Sequence, residues 1–258
     1  MENLITEIGL WVENILLYTG SIAILLAHSI KGIFNKKISR NLFLQMEQIG
    51  VNSLPLVSII STFTGMVMVM ETVKTLSKFG GEIFAGGLVS VSMIRELGPV
   101  IVALVVAGRI GASISAEIGS MKITEQIDAL EISAVDPIEY LVSPRLLASM
   151  IMMPFLTLIA VFLSIMGGFI VAVFIVHLSA IGYMHQSLSF ITVKDVIVSI
   201  IKSFVFGILI ITASCMEGLR TTGGAEGVGK STTKAVVFSF FLIILFNLIL
   251  TAIFYFVK

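Results

Sequence analysis

The residues from Gly224 to Ser231 read Gly-Ala-Glu-Gly-Val-Gly-Lys-Ser and match the G-x-x-x-x-G-K-S pattern of phosphate-binding loops letter for letter. That chemistry needs a buried strand before the loop and a helix after it, so that backbone N–H groups converge on a phosphate. Here a long apolar segment stands on each side, and Glu226 puts an acid inside the would-be anion cradle. The sequence around the pattern therefore argues against nucleotide binding. It predicts instead a flexible turn whose glycines let two apolar segments approach.

A second candidate for chemistry is the pair Arg95-Glu96, which lies in an otherwise apolar stretch. A charged residue at bilayer depth costs about 2.5–3.5 kcal/mol on insertion scales, so it tends to face protein or water. The pair is either the polar lining of a cavity for a charged or amphipathic substrate or a structural pair at the outer end of a span. Neighbouring helical residues point about 100° apart, so the two side chains cannot both face one neighbour squarely.

Two more cations, Arg109 and Lys202, lie near the ends of apolar segments, where snorkelling toward headgroups is the expected behaviour. The three histidines are scattered, Cys215 is the only cysteine, and no Ser-His-Asp order or HExxH motif is present. We therefore expect neither an enzyme nor a metal site. The net charge of zero removes any whole-chain argument for nucleic-acid binding.

A polar island, Glu117–Arg145, interrupts the apolar sequence and must project into water. It carries eight charged residues: Glu117, Lys122, Glu125, Asp128, Glu131, Asp136, Glu139 and Arg145. Within it, apolar residues at i, i+4, i+7 and i+11 predict a short amphipathic helix near Glu125–Glu131, with the face Ile123, Ile127, Leu130 and Ala134. Thr124 is a candidate N-cap, and Pro137 and then Pro144 end the helix. A helix of about ten residues is marginal alone, so this one needs a docking surface on its own spans or on a partner.

The elements that position these residues follow from composition, which is 57% hydrophobic and only 12% charged, against about 25% charged in soluble domains. This indicates an all-α, polytopic membrane protein in a single domain, 1–258. Five segments reach the roughly 20 apolar residues of a spanning helix. They are 51–75, 83–116, 146–177, 196–216 and 235–257, preceded by an interfacial region, 1–45, in which residues 15–30 are preferred as an interfacial helix over a sixth span.

Lysine and arginine counts orient these spans. One side receives nine: Lys31, Lys36, Lys37, Arg40, Lys122, Arg145, Arg220, Lys230 and Lys234. The other receives four: Lys74, Lys78, Lys194 and Lys258. The first side, with the N-terminus and the polar island, is therefore predicted to be cytoplasmic, and the C-terminus lies outside.

The second span carries small residues at fourfold spacing, namely Ala103, Ala107, Gly111, Ser115 and Gly119, which predicts a tightly packed central helix. In the first span, Met66, Met68 and Met70 suit irregular apolar surfaces such as acyl chains, although each is more simply a lipid-facing or core methionine.

A run of motifs is more specific than any of these features alone. It comprises Arg95-Glu-Leu-Gly-Pro99, Ala107-Gly-Arg-Ile-Gly-Ala112, Ala116 to Leu130, Asp136-Pro137, Pro144-Arg145 and Gly223 to Gly229. Nearly the whole chain beyond about Asn41 resembles the MlaE (YrbE) permease family. The resemblance implies an ABC transporter permease that moves phospholipid between membranes as a homodimer in the bacterial inner membrane, with its C-terminus in the periplasm.

The resemblance also implies partners. They are a cytoplasmic ABC ATPase dimer, an Mce-domain protein on the outer side and, in Gram-negative bacteria, often a STAS-domain protein. ATP and Mg would be bound by the ATPase, and no cofactor by this chain. Two rival functions stay open from the sequence: an ATP-independent carrier or channel that uses Arg95 and Glu96 as its coupling pair, and a membrane scaffold without transport.

Site residues carry over by position. The family's coupling helix maps onto about Gly119–Glu131, which implies contact with the ATPase by Glu117, Lys122, Glu125, Gln126, Asp128, Ala129 and Leu130. The family's lipid cavity lies between protomers and is lined by the first, second and fifth spans. Its expected lining here is Met66, Met70, Arg95, Glu96, Leu97, Lys202 and Asn247.

Overall fold

The computed structural model describes residues 2–33 and 39–256, and within them the regular structure is helical. The α-helices are α1 (Glu2–Ile33), α2 (Ser39–Ile49), α3 (Leu54–Leu76), α4 (Ala85–Ser92), α5 (Gly98–Val106), α6 (Ala112–Ile123), α7 (Gln126–Ile132), α8 (Ser143–Phe174), α9 (Ala180–Phe190), α10 (Val193–Leu219) and α11 (Gly224–Phe256). Lys36, Lys37, Val257 and Lys258, which entered the span or orientation predictions, lie outside the described residues.

The five predicted spans correspond to five long helical segments, which confirms an all-α polytopic membrane protein. These segments are Asn41–Phe79, Glu82–Ile123, Ile138–Phe174, Val193–Leu219 and Gly224–Phe256. Most extend beyond the predicted bounds, because backbone hydrogen bonding continues after the apolar run has ended. The exception is the predicted span 146–177, which runs past the end of α8 at Phe174.

The spans alternate in direction, so the bundle has two ends. We call the end that carries residues 117–145 the island end; it also holds the short connection between α10 and α11. The opposite end, called the far end, holds the connection between α3 and α4 and the short helix α9. The core has a larger cluster built mainly from α5, α6, α8 and α10, and a smaller one at the far end.

Helix α1 lies across the island end. By length and composition its Leu16–Ile33 stretch qualifies as a sixth candidate span. Its contacts place it otherwise: the Tyr18 hydroxyl donates to Glu217 at 2.6 Å, and the Ser143 hydroxyl donates to the Ser29 carbonyl at 2.9 Å. Glu217 and Ser143 both belong to the island end, although Tyr18 and Ser29 are about 16 Å apart along α1. The contacts favour the predicted interfacial helix, because a span would change depth over that length.

Close helix approach in the bundle depends on small residues, as lipid supplies no hydrophobic drive for association. A Cβ atom at Gly65 of α3 would lie 1.9 Å from the Ser164 carbonyl oxygen of α8, so only glycine fits there. The Ser164 hydroxyl then donates to the Ser61 carbonyl at 2.8 Å. The predicted small-residue face of the second span is confirmed as buried: Ala103, Ala107, Gly111, Ser115 and Gly119.

Three π turns interrupt the long segments. They are Met93–Leu97 and Ala107–Gly111 in the second span, and Ile138–Val142 before α8. A π turn inserts one extra residue into a helix and is often found at functional sites. The first carries Arg95 and Glu96 and the second carries Arg109, so the charges of this span lie where its helix is locally widened.

Candidate functional sites

A polar site near the far end begins at the first turn of α10. The Thr192 hydroxyl caps that helix by accepting the Asp195 N–H, and the Asp195 carboxylate accepts the Thr192 N–H at 3.0 Å. This reciprocal arrangement is a capping box. The other oxygen of the same carboxylate accepts from Arg95 Nε. Asp195 is thus held by its own helix end and in turn fixes Arg95, whose side chain remains 50% exposed.

Glu96 lies beside Arg95 but has different partners. Its carboxylate accepts from Lys202 Nζ at 2.8 Å, from Asn247 Nδ2 at 3.1 Å and from the Thr251 hydroxyl at 3.1 Å. The expectation that adjacent charges face different neighbours is therefore confirmed. Glu96 joins α10 and α11 to the second span, and Arg95 binds the first turn of α10.

Lys202 is buried, with 0% of its side chain exposed. The prediction that it snorkels toward headgroups is wrong. Its ammonium donates to Glu96, to the Arg95 carbonyl at 2.9 Å and to the Thr251 hydroxyl at 2.8 Å, so all three N–H groups have acceptors. Burial of a charge is tolerable when it is paired and fully hydrogen-bonded, and the Arg95 carbonyl inside the π turn completes the set.

These groups line a cavity of about 360 Å³, which we call the polar chamber. Its walls are Arg95, Glu96, Lys194, Asp195, Val198, Lys202, Thr251, Phe254 and Tyr255. Three of these residues are cations and two are carboxylates, with Arg95 paired to Asp195 and Lys202 paired to Glu96. Thr251 and the apolar or aromatic side chains of Val198, Phe254 and Tyr255 form the remainder. The half-exposed guanidinium of Arg95 beside these apolar walls suits an anionic group that carries an apolar portion.

The predicted cavity residues separate into two groups. Arg95, Glu96 and Lys202 line the chamber, and Asn247 contacts Glu96. Met66 and Leu97 instead pack against the smaller apolar cluster, and Met70 is exposed on α3; none of the three is part of the chamber lining.

Several chamber residues were not predicted, although two of them had a signal in the sequence. Asp195 stands three residues after Thr192, the spacing of a capping box, and seven before Lys202 on the same helical face. Thr251 follows Asn247 by four residues, which also places the two on one face. Lys194, Val198, Phe254 and Tyr255 carried no recognisable pattern.

Arg109 lies at the other end of the same span. Its Nη1 donates to the Ser53 hydroxyl at 2.8 Å, just before α3 begins, and the residue is exposed. This contact places Arg109 beside the start of α3, toward the island end, and its snorkelling toward headgroups stays a prediction.

The second candidate site is the short island helix, α7. The preceding helix α6 continues to Ile123, and Thr124 ends it by donating its hydroxyl to the Ser120 carbonyl at 2.8 Å. The prediction of Thr124 as N-cap is therefore wrong. Glu125 occupies that position with φ of 58°, a left-handed backbone that turns the chain sharply into α7. Helix α7 therefore begins and ends one residue later than the predicted Glu125–Glu131, and Ile123 of the predicted face is the last residue of α6.

One face of α7 is packed and the other is exposed. Ile127 is buried and Leu130 packs partly against the core, as predicted, but Ala134 is exposed because it follows the end of the helix. Gln126, Ala129 and Ile132 share the outer face, and Ile132 is 88% exposed. Ile132 was not predicted as a site residue, since the apolar spacing assigned other residues to the packed face. It presents an apolar side chain to the surroundings of the island helix.

Three of the predicted coupling residues, Glu117, Lys122 and Asp128, form ion pairs within the chain. Lys122 Nζ contacts Asp128 Oδ1 at 2.9 Å, which ties α6 to α7. Glu117 lies 2.7 Å from Arg145 Nη2, and Arg145 is buried at the start of α8. These pairs hold the island in shape and leave Glu125, Gln126, Ala129 and Ile132 exposed on its outer surface.

The match to a phosphate-binding loop is not a loop in the structure. Helix α11 begins at Gly224, so residues 224–231 form its first two turns, and the predicted flexible turn is wrong there. Gly223 and Gly224, at the turn that leads into α11, adopt left-handed backbone angles. Lys230 forms an exposed pair with Glu226 at 2.7 Å. The backbone N–H groups of Val228 to Ser231 follow the helix and do not converge on a phosphate.

Comparisons with known proteins agree with this architecture. The profile of the family described as Permease MlaE matches residues 42–253. A "Probable ABC transporter permease protein" of Rickettsia typhi is 42% identical over 80% of both chains. Another of that description, from Synechocystis, is 37% identical over 95% of this chain and 92% of its own. The chloroplastic protein "TRIGALACTOSYLDIACYLGLYCEROL 1" of Arabidopsis thaliana is 36% identical over 95% of this chain and 71% of its own length.

Proposed function

Because this chain belongs to the MlaE family of ABC transporter permeases, we propose that it moves phospholipid between membranes, driven by ATP hydrolysis on a separate subunit. The polar chamber is the observation that carries the substrate class. A phospholipid has an anionic phosphate and long apolar chains, and the chamber offers the half-exposed guanidinium of Arg95 beside apolar walls. Arg95, half-exposed and oriented by Asp195, is the group that contacts the phosphate.

The name of one relative supports a lipid substrate. The Arabidopsis relative carries the name of a glycerolipid. A diacylglycerol lipid shares its apolar portion with phospholipid, and the chamber's Val198, Phe254 and Tyr255 are suited to that portion. The pair between the buried Lys202 and the half-buried Glu96 keeps these two charges of the chamber at fixed positions.

Coupling to ATP enters at the opposite end. In the proposed cycle, ATP binding closes a cytoplasmic ATPase dimer, which pushes on the outer face of α7. The helical segment Glu82–Ile123 connects the α7 turn to Arg95 and Glu96. Movement at α7 therefore reaches the chamber through one span, whose π turns allow a local change of register. The spans then rock and transfer lipid to the partner on the far side.

The assembly and location follow the family resemblance. The permease works as a homodimer in a bacterial inner membrane, with the island end and the N-terminus in the cytoplasm and the C-terminus in the periplasm. An Mce-domain protein receives or supplies lipid at the far end, and a STAS-domain protein joins at the cytoplasmic side. Nine island-side cations against four on the other side support this orientation.

The test is lipid transfer between two populations of vesicles, with the permease and its ATPase reconstituted in one of them. Transfer of labelled phospholipid is expected to need ATP and to fall at least tenfold in Arg95→Gln. Arg109→Gln, which removes the same charge from the other end of the span, serves as the control and should retain transfer.

Two results would contradict the proposal. Transfer that is equally fast without ATP favours the ATP-independent carrier that uses Arg95 and Glu96. Absence of any ATPase in a pull-down with the intact permease, together with no transfer, favours a membrane scaffold.

A further inference from the structure

The polar chamber has hydrogen-bonding capacity that its own residues leave unused. An arginine has five N–H groups, and an ionised carboxylate has about four acceptor positions. Among the described residues, the Arg95 guanidinium donates through Nε, to Asp195, and its two terminal nitrogens have no acceptor. Because half of this side chain is exposed and it lines the chamber, those terminal N–H groups can bind an anionic oxygen.

Glu96 supplies unused capacity of the opposite kind. Its Oε2 atom accepts from Lys202 Nζ at 2.8 Å and from Asn247 Nδ2 at 3.1 Å. Within the described chain, its Oε1 atom has one donor, the Thr251 hydroxyl at 3.1 Å, and that single O–H lies equally close to Oε2. Oε1 is therefore an anionic oxygen, beside the apolar walls of the chamber, that can accept another hydrogen bond. A charged donor satisfies such an oxygen best.

The fixed charges around these atoms are balanced. The Arg95–Asp195 and Glu96–Lys202 pairs each join one cation to one carboxylate. Lys194, the remaining charged residue of the lining, is exposed at the first turn of α10. A ligand with a net charge would leave that charge uncompensated among paired groups, which is costly away from water. A ligand that carries both signs adds no net charge, so the chamber is complementary to a zwitterion.

We propose that the chamber prefers phospholipids whose headgroup carries a primary ammonium, such as phosphatidylethanolamine, over lipids with a net anionic headgroup. The phosphate accepts from the terminal nitrogens of Arg95, and the ammonium donates to Glu96 Oε1. The two residues are consecutive in one π turn and line one cavity of about 360 Å³, and two carbon atoms separate the ammonium from the phosphate ester oxygen. The preference rests on the proposed function, in which Arg95 contacts the phosphate, and adds Glu96 as the residue that determines the headgroup.

Competition between lipids that differ in headgroup tests this preference. The intact permease with its ATPase is reconstituted in vesicles with equal amounts of phosphatidylethanolamine, phosphatidylcholine and phosphatidylglycerol, distinguished by isotopic labels in otherwise identical acyl chains. Mass spectrometry measures two ratios: the lipids transferred to acceptor vesicles with ATP, and the lipids bound to the purified complex without ATP. We expect the ethanolamine lipid to exceed the glycerol lipid about tenfold in both, the effect of one charge-assisted hydrogen bond. Phosphatidylcholine, which keeps the positive charge but has no N–H donor, should fall between them.

A double variant assigns the preference to Glu96. Glu96→Gln with Lys202→Met removes the carboxylate without leaving a buried ammonium unpaired, and should reduce the ratio to less than about twofold. Glu71→Gln with Lys74→Met makes the same changes at exposed positions of α3, outside the chamber lining, and should keep the tenfold ratio. Because each ratio is measured within one sample, a lower yield or transfer rate of a variant does not change it.

Three outcomes overturn the proposal. Equal ratios for the three lipids in the unaltered permease would mean that another group, such as one from a second protomer, already occupies Glu96 Oε1. A preference for phosphatidylglycerol would mean that the chamber favours net negative charge. A tenfold ratio that survives Glu96→Gln with Lys202→Met would place the selectivity elsewhere.

The two readouts separate this proposal from the proposed transport. Preferential binding of the ethanolamine lipid without ATP-driven transfer supports the headgroup preference and contradicts the transport function. ATP-driven transfer with no headgroup preference supports the transport function and contradicts the role of Glu96.

Discussion

The two ends of the molecule differ in what they bury and what they expose: the far end buries charged side chains, and the island end exposes an apolar one. In the polar chamber a lysine is wholly buried and a half-exposed arginine is held by a buried carboxylate, whereas on the island helix an isoleucine is almost wholly exposed. Each arrangement reverses the ordinary preference of its residue type. A buried charge with full hydrogen bonding fixes geometry, and an exposed apolar tip gains from a partner. The far end, with its hydrogen-bonded charges, is therefore suited to holding a fixed geometry. The island end, with its exposed isoleucine, is suited to binding a partner protein.

The largest effect is expected from breaking the Glu96–Lys202 pair. Glu96→Ala leaves the Lys202 ammonium buried with only neutral acceptors, which is expected to cost about 2 to 3 kcal/mol of folding free energy. The cost is below that of breaking a wholly buried pair because the Glu96 side chain is 39% exposed and partly screened by solvent. Unfolding in detergent, followed by helix content against denaturant, measures it. Glu96→Ala with Lys202→Met should recover most of the loss, because neither charge then remains. A double variant as unstable as the single one would show that Lys202 is not the source of the cost.

The island end should respond to an apolar-to-charged change without loss of fold. Ile132→Asp is expected to weaken association with the ATPase about thirtyfold, the effect of removing an interface anchor worth about 2 kcal/mol. Co-purification and ATPase titration measure it. Ile181→Asp makes the same change at an equally exposed position on α9, at the far end, and should leave association intact. Equal weakening by both variants would remove the distinction between the two ends.

Positioning within the chamber can be weakened more gently. Thr192→Ala removes the capping hydroxyl of α10 and is expected to cost about 1 kcal/mol of stability. Asp195 then loses a partner that holds it toward Arg95, so lipid transfer should fall more than stability alone explains. Thermal unfolding and transfer are measured together, with Thr75→Ala, also near the far end, as control. Transfer unchanged in Thr192→Ala would show that capping does not position Arg95.

The smallest effect concerns the turn before α7. Glu125→Gly relieves a left-handed backbone and is expected to stabilise the fold by about 0.5 to 1 kcal/mol. Glu131→Gly, within α7, should instead destabilise it by about the same amount. Denaturation curves of the two variants give the comparison. A loss of stability in Glu125→Gly would indicate that the glutamate side chain contributes more than its backbone costs.

The sequence predicted the parts of the fold that depend on composition and period. Apolar runs located all five spans, and small residues at fourfold spacing located the packed face of the second span. Capping at the island was wrong because a helix end is decided by the backbone of the preceding helix, and α6 extended to Ile123. The glycine-rich pattern at Gly224 was predicted to be a turn, although tertiary context made it the start of α11.

Residues of the chamber were only partly predictable. A charge in an apolar run indicates a partner, and Arg95, Glu96 and Lys202 were found that way. The burial of each side chain within the bundle could not be predicted. Lys202 was expected to snorkel because it lies few residues into its span, yet Glu96 and Thr251 contact it from two other helical segments. Contacts of high sequence separation, such as Lys202 to Glu96, have no local signal in a single sequence.

The π turns have a consequence for insertions and deletions in this family. Each holds one residue more than an α-helical path needs, so a chain that lost one residue from Ala107–Gly111 would keep a continuous apolar span of nearly the same length. That loss would rotate everything on one side of it by about 100° relative to the other. Arg95 and Glu96 would then face lipid while the island helix kept its place. Residue number along this span is therefore as constrained as residue identity, and a one-residue gap here should mark a relative with a different chamber.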